Sequence, residues 1–253
     1  MASGSVLSAA ERRRLAPLAS ALARMAVTAA LRLELVAGTL PHGARVGLLA
    51  GTFNPLTRAH AALAVAGHRA GCERVVLAMA PASLDKERLE RAHPVDRLDW
   101  VRTWARRHSW AAVAVCSRPL LVDMAEALGR LTSGQVVLLL GADKAEQLVE
   151  PRYYEDLEAA LARLSSAASL LVADRAGHPP ARLPLEATRL STPAWVPGRS
   201  STEVREAARR GEPVDKLVPA AVARAIARTR AYDDDPRPYL FRAHELEALA
   251  VPD

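Results

Sequence analysis

Two short stretches of the chain combine residue types and spacings suited to holding a phosphate chain. In Leu48–His60 (LLAGTFNPLTRAH) an apolar run stops at Gly51, Pro55 stiffens a turn, and Thr57 and His60 stand three residues apart. At the start of a helix that spacing puts both side chains on one face. Unpaired backbone N–H groups and the helix dipole favour an anion there, and His60 adds a further donor. The plainer reading makes Thr57 an N-cap and His60 a surface residue. In Gly198–Pro213 (GRSSTEVREAARRGEP), Ser200 and Glu203 have the spacing of a capping box. Capping does not account for Arg199 and Arg205, because cations at a helix N-terminus oppose its dipole. A bound anion reverses that penalty, so Ser200, Ser201, Thr202 and Arg205 form a candidate triphosphate cradle. A third polar turn, Gly141-Ala142-Asp143, follows another apolar run directly.

These turns need elements to carry them. Apolar runs recur at Arg45–Gly51, Arg74–Ala80, Trp110–Ser117, Gln135–Ala142 and Ser169–Arg175, with a shorter one at Thr188–Trp195. Segments of helical spacing separate them, at Arg58–Gly71, Pro94–His108, Val122–Leu131 and Glu155–Leu164. Strands this continuously apolar are buried on both faces. The alternation predicts an α/β fold, a Rossmann-like, doubly wound parallel sheet of five to six strands with helical N- and C-terminal extensions. In the strand order 3-2-1-4-5 the first and fourth runs are neighbours, and the ligand crevice opens between their carboxyl ends. The loops Gly51–His60 and Gly141–Asp143 then face each other. Residues 1–40 read as a helical extension of one or two amphipathic helices broken near Pro17, 41–232 as the main domain, and 233–253 as a linker with a short docking helix.

Composition narrows the function. Half of the 253 residues are hydrophobic, and the formal charge is +6. Only Lys86, Lys144 and Lys216 are lysines, and the many arginines are scattered among acids with no aromatic interleaving, so no nucleic-acid partner is expected. Arg24, Arg32 and Glu34 interrupt the apolar N-terminal stretch, so no membrane span is expected. Two cysteines without metal-type spacing, Cys72 and Cys116, fit a reducing, cytoplasmic setting and apolar packing. The histidines form no zinc-type cluster. Neither GxGxxG nor GxxxxGK[ST] is present, which argues against nicotinamide redox chemistry and P-loop hydrolysis. Trp100 and Trp104, four apart, read as core. The terminal helices offer a surface for a homo-oligomer.

Together, GTFNP…TRAH, LLLGAD and SSTEVREAARRGEPVDKLVPAAVARAI resemble three motifs of the nucleotidyltransferases: GxFNPxxxxH with its (H/T)xGH element, the GxD loop and ISSTxxR. The nearest branch is the nicotinamide or nicotinate mononucleotide adenylyltransferases, and the likeness spans about Arg45 to Tyr232. It implies ATP binding by Gly51, Thr52, Phe53, Thr57, His60, Gly141, Asp143, Ser200, Ser201, Thr202 and Arg205. Gly51, Thr52 and Phe53 would lie near the mononucleotide phosphate, Gly141 and Asp143 at the nucleotide ribose, and Ser200–Thr202 with Arg205 at the departing pyrophosphate. His60, with Thr57 and Arg205, would form the catalytic set. Asn54, Lys86, Arg97, Tyr153 and Tyr154 would face the acceptor, one tyrosine replacing the family's tryptophan as a platform for the pyridine ring. Ala59 departs from the family's glycine, and Arg199 from its apolar residue.

The resemblance implies Mg²⁺ carried by ATP and adenylyl transfer to a pyridine mononucleotide, giving NAD or its deamido form. The rivals are a sister transferase using CTP or another phosphorylated acceptor, such as a phosphopantetheine or sugar phosphate, and a non-catalytic nucleotide sensor.

Overall fold

The computed structural model describes residues 7–81, 92–173, 185–193 and 200–250, apart from the side chains of residues 142, 143 and 250. Lys86 and Arg199 lie outside the described residues.

The apolar runs form the strands β2 (Val46–Ala50), β3 (Arg74–Met79), β4 (Ala111–Cys116), β5 (Val136–Gly141), β6 (Ser169–Ala173) and β7 (Ala187–Leu190). Their interiors are almost wholly buried in β2 to β5, as expected of a sheet covered on both faces. One further strand, β1 (Leu33–Ala37), pairs antiparallel with β4, Leu33 opposite Cys116 and Glu34 opposite Val115. The seven-stranded sheet runs β1-β4-β3-β2-β5-β6-β7, parallel from β4 to β7. From β2 the chain winds outward one way through β3 and β4, and from β5 the other way through β6 and β7. The β2/β5 border is therefore the switch point, as the sequence predicts, the place at which doubly wound sheets in general bind their ligands.

The connecting helices are α2 (Arg58–Arg69), α3 (Pro94–Ala105), α4 (Leu121–Gly129), α5 (Ala142–Leu148) and α6 (Leu157–Ala167), followed by α7 (Ser201–Arg209) and α8 (Ala220–Thr229). One apolar cluster joins the sheet to α2, α3, α7 and α8, and a second joins its other face to α4, α5 and α6. Trp100, Trp104, Cys72 and Cys116 are buried in these clusters, and burial pushes both thiols up in pKa. The helix α2 lies close on β5, since a Cβ at Gly67 would stand 2.4 Å from Leu139 Cδ1.

The N-terminal region corrects two expectations. The segment Ala9–Val27 is one helix, α1, with Pro17 inside it. Pro17 is exposed, while Leu15, Leu18, Leu22 and Met25 are buried on the opposite stripe, so tertiary packing carries the helix past the missing N–H. Nor is the region purely helical, since β1 extends the main sheet and Arg24 on α1 pairs with Glu34 on β1 at 2.6 Å. The short LELVA run follows a long helical pattern, and its edge position gives it little alternation to betray it.

The docking helix near the C-terminus is present as α9 (Arg237–Glu247), packed against α1. Glu245 of α9 accepts from Leu7 N at 2.8 Å and pairs with Arg12 at 3.0 Å. Among the described residues no helix is long and apolar enough to cross a membrane.

Candidate active site

Thr57 caps α2 and forms a reciprocal box with His60. Its hydroxyl accepts from His60 N at 3.2 Å, and His60 Nδ1 accepts from Thr57 N at 3.0 Å. The plain capping role is thus shared by the two residues. Because Nδ1 receives an N–H, the proton of the neutral ring resides on Nε2, which is left as the outward donor. Desolvation, followed by the charge of Lys144, lowers the His60 pKa to about 4. The ring therefore acts at neutral pH as an uncharged N–H donor. Phe53 fixes its orientation edge-on, centroids 5.3 Å apart at 80°.

The loop before Thr57 is held in an unusual shape. Phe53 has φ 44° and is 1 % exposed, a left-handed conformation that strains a bulky residue and persists only where surroundings enforce it. Five neighbours do so. Arg97, buried on α3, donates to Thr52 O at 2.7 Å. Tyr232 donates to Asn54 Oδ1 at 2.8 Å, and Ala92 N donates to the same oxygen at 3.1 Å. Arg205 on α7 donates from Nη1 to Asn54 O at 3.0 Å, beside Ser201, whose Oγ donates to Pro55 O at 3.0 Å.

The two distant helix starts thus meet at one loop, as the sequence predicts. Ser200 caps α7 by accepting from Glu203 N at 3.1 Å, and exposed Thr202 accepts from Arg205 Nη2 at 3.2 Å. Arg205 Nε is buried without a hydrogen-bond partner among the described residues, a donor still to be satisfied.

The expected ligand residues divide into groups. His60, Ser200, Ser201, Thr202 and Arg205 gather around the loop, with Thr52 exposed at its edge. Gly51 N donates to Ala78 O at 3.0 Å, so this N–H continues the sheet instead of facing a phosphate. Its missing side chain makes room for Phe53, whose ring would stand 3.1 Å from a Cβ there. Thr57 and Asn54 are buried, at 0 % and 4 % exposure, and Arg97 is buried beside them. All three brace the loop from within. Gly141 caps α5 and Asp143 lies in its first turn, at the end of β5.

Of the two tyrosines, Tyr154 donates to Leu148 O at 2.9 Å and packs on the second cluster. The Tyr153 hydroxyl accepts from Gln147 Nε2 at 2.8 Å, and the Arg152 guanidinium covers its ring at 4.8 Å.

Sequence reasoning missed three features. Tyr232 reads as a domain boundary but is buried in the loop's support. Asp96, one residue before Arg97, receives Arg242 Nη2 at 2.7 Å and Nε at 2.9 Å and the Tyr239 hydroxyl at 2.9 Å, so α9 braces α3. The third is Lys144, in the first turn of α5 and close enough to act on His60. Its only sequence signal is its position beside the GAD turn.

A groove of about 710 Å³ also runs along α2, lined by Arg58, Val65, Arg69, Trp104, His108 and Arg189. It lies between α2, the end of α3 and the end of β7, apart from the loop Gly51–Thr57.

No protein-family model matches the chain, and no curated protein matches it. Solved structures do. A Plasmodium falciparum nicotinic acid mononucleotide adenylyltransferase complexed with NaAD is 14% identical with a TM-score of 0.55. The match covers 75% of this chain and 97% of that one. The same organism's enzyme complexed with APC is 12% identical with a TM-score of 0.54, over the same 75% and 97%. Such likeness establishes a shared fold.

Proposed function

We propose that the crevice at the ends of β2 and β5 transfers the adenylyl group of ATP to nicotinate or nicotinamide mononucleotide. A phosphate oxygen of the mononucleotide forms a bond to the α-phosphorus of ATP, the bond from that phosphorus to the bridging oxygen breaks, and pyrophosphate leaves with the electron pair. The acceptor phosphate is already anionic at neutral pH, so no general base is required.

The chain's task is to align two anions and to spread the charge of the transition state. Alignment supplies as much as about 7–11 kcal/mol in favourable cases. In this reading His60 donates from Nε2 to the α-phosphate as it is attacked, held by Thr57 and Phe53. Ser200, Ser201, Thr202 and Arg205 receive the β- and γ-phosphates, and Gly141 with Asp143 receives the ribose. Mg²⁺ would enter as part of the ATP substrate and would supply positive charge against its phosphates. Among the described residues no group of acidic, histidine or cysteine side chains is placed to hold a metal.

The observation that carries this reading is the joining of two helix starts, about 140 residues apart in sequence, through the Asn54 and Pro55 carbonyls. The shared fold with enzymes named for this reaction supports it. The test is pyrophosphate release from ATP and Mg²⁺ with each mononucleotide, and with CTP as the control. His60→Ala is expected to lower turnover at least about a hundredfold while leaving the fold intact, in the range seen when a transition-state donor is removed. Near-normal turnover in that variant would remove His60 from the mechanism.

A further inference from the structure

The neutrality of His60 leaves a charge problem at the crevice. An uncharged imidazole donates a hydrogen bond but adds no positive charge where two phosphates approach. Arg205 contributes from the α7 side, through a guanidinium that also holds Asn54 O and Thr202 Oγ1. The β5 side has its own cation.

Lys144 sits in the first turn of α5, which starts immediately after Gly141, the last residue of β5. The β5 strand is paired in parallel with β2, Val46 opposite Val136 and Leu48 opposite Leu138. The ends of the two strands therefore emerge side by side. From β2 the chain turns into α2 on one face of the sheet, and from β5 into α5 on the other, so His60 and Lys144 flank the switch point from opposite sides. Ala145 and Leu148 anchor α5 in the second apolar cluster. Lys144 itself is half-buried, its ammonium resting on Gln147 Oε1. Gln147 is oriented in turn by its amide donating to the Tyr153 hydroxyl at 2.8 Å, which Arg152 also approaches at 2.9 Å.

We propose that Lys144 is a phosphate-binding catalytic residue of this crevice, exchanging Gln147 Oε1 for a non-bridging oxygen of the nucleotide as the substrates close on each other. An ammonium is a compact cation on a flexible stem, suited to following charge as it moves. Gln147, Tyr153 and Arg152 form the resting contacts of its ammonium. The field of Lys144 at the His60 ring agrees with this placement, since it helps keep that ring neutral. The assignment rests on the adenylyl-transfer reading for its substrate, but not for its ligand class, a polyphosphate.

The test uses the full chain with Lys144→Met, which keeps the stem and removes the charge, and Lys144→Arg, which keeps the charge. Three readouts are made: pyrophosphate binding by calorimetry, turnover with ATP and nicotinate mononucleotide, and the His60 titration by NMR. Lys144→Met is expected to weaken pyrophosphate at least tenfold, lower kcat at least tenfold and move the His60 titration upward, while Lys144→Arg recovers most of each. Unchanged pyrophosphate affinity in a folded Lys144→Met protein overturns the proposal. Weakened pyrophosphate binding together with an inactive wild-type chain leaves Lys144 as a polyphosphate ligand and overturns the adenylyl-transfer reading instead.

Discussion

Arg242 and Asp96 offer the sharpest test of how the crevice loop is held. Asp96 is 1 % exposed and Arg242 5 %, and two N–H···O bonds join them at 2.7 and 2.9 Å. Arg242→Gln leaves the carboxylate buried with the Tyr239 hydroxyl but without its cation. Breaking such a pair from one side costs about 3–5 kcal/mol, because the remaining charge is stranded. For a chain of this length that lowers Tm by about 6–20 °C. Urea denaturation followed by tryptophan fluorescence reads the loss, since Trp100 lies on α3 itself, 6.1 Å from Tyr232. The control is the double variant Asp96→Asn with Arg242→Gln, which removes both charges and should recover more than half of the loss. Turnover should fall in the single variant under conditions where it remains folded, because Arg97 follows Asp96 on the same helix and grips Thr52. A single-variant cost below about 1 kcal/mol, or a double variant no more stable than the single, would refute the bracing argument.

Other outcomes follow from the same geometry. The His60 ring should titrate by NMR near pH 4, and a midpoint near 6.5 would contradict the desolvated cap. Because the fold holds this ring neutral, its stabilising contribution is complete above about pH 6.5, declines as pH falls and is lost as pH passes through about 4, at most about 3 kcal/mol in all. Tyr232→Phe should cost about 1–2 kcal/mol in chemical denaturation, from the lost bond to buried Asn54, and should lower kcat by disturbing the loop. Gly134→Ala should lose about 3 kcal/mol or more, since the new Cβ would stand 1.9 Å from Ala44 O and backbone must move; a stability within 1 kcal/mol of the parent would exclude that contact.

The sheet and its switch point are legible in the sequence because buried parallel strands write themselves as long apolar runs. The strand β1 is not, since five residues at an antiparallel edge leave no comparable trace. The convergence of His60 and Arg205 is signalled by the Thr57–His60 spacing at one helix start, by cations opposing the dipole at the other, and by the motif resemblance that links the two. Which polar residues face the ligand cannot. Asn54, Arg97 and Thr57 have suitable chemistry, yet the fold spends it on its own carbonyls and N–H groups. Tyr232, Asp96 and Arg242 act through partners 143 to 178 residues away, a range over which local pattern carries no information.

The distance between Asp96 and Arg242 also sets an order of events during synthesis. The two are separated by 146 residues, so at about 5–20 residues per second Asp96 leaves the ribosome roughly 7–30 s before its guanidinium exists. Until then its carboxylate favours water, and the start of α3 has no reason to settle against Thr52. The growing chain can lay down its central strands early while the brace on α3 waits for α9, so a nascent chain short of that helix would have a nearly complete sheet and a stranded Asp96 carboxylate beneath the loop.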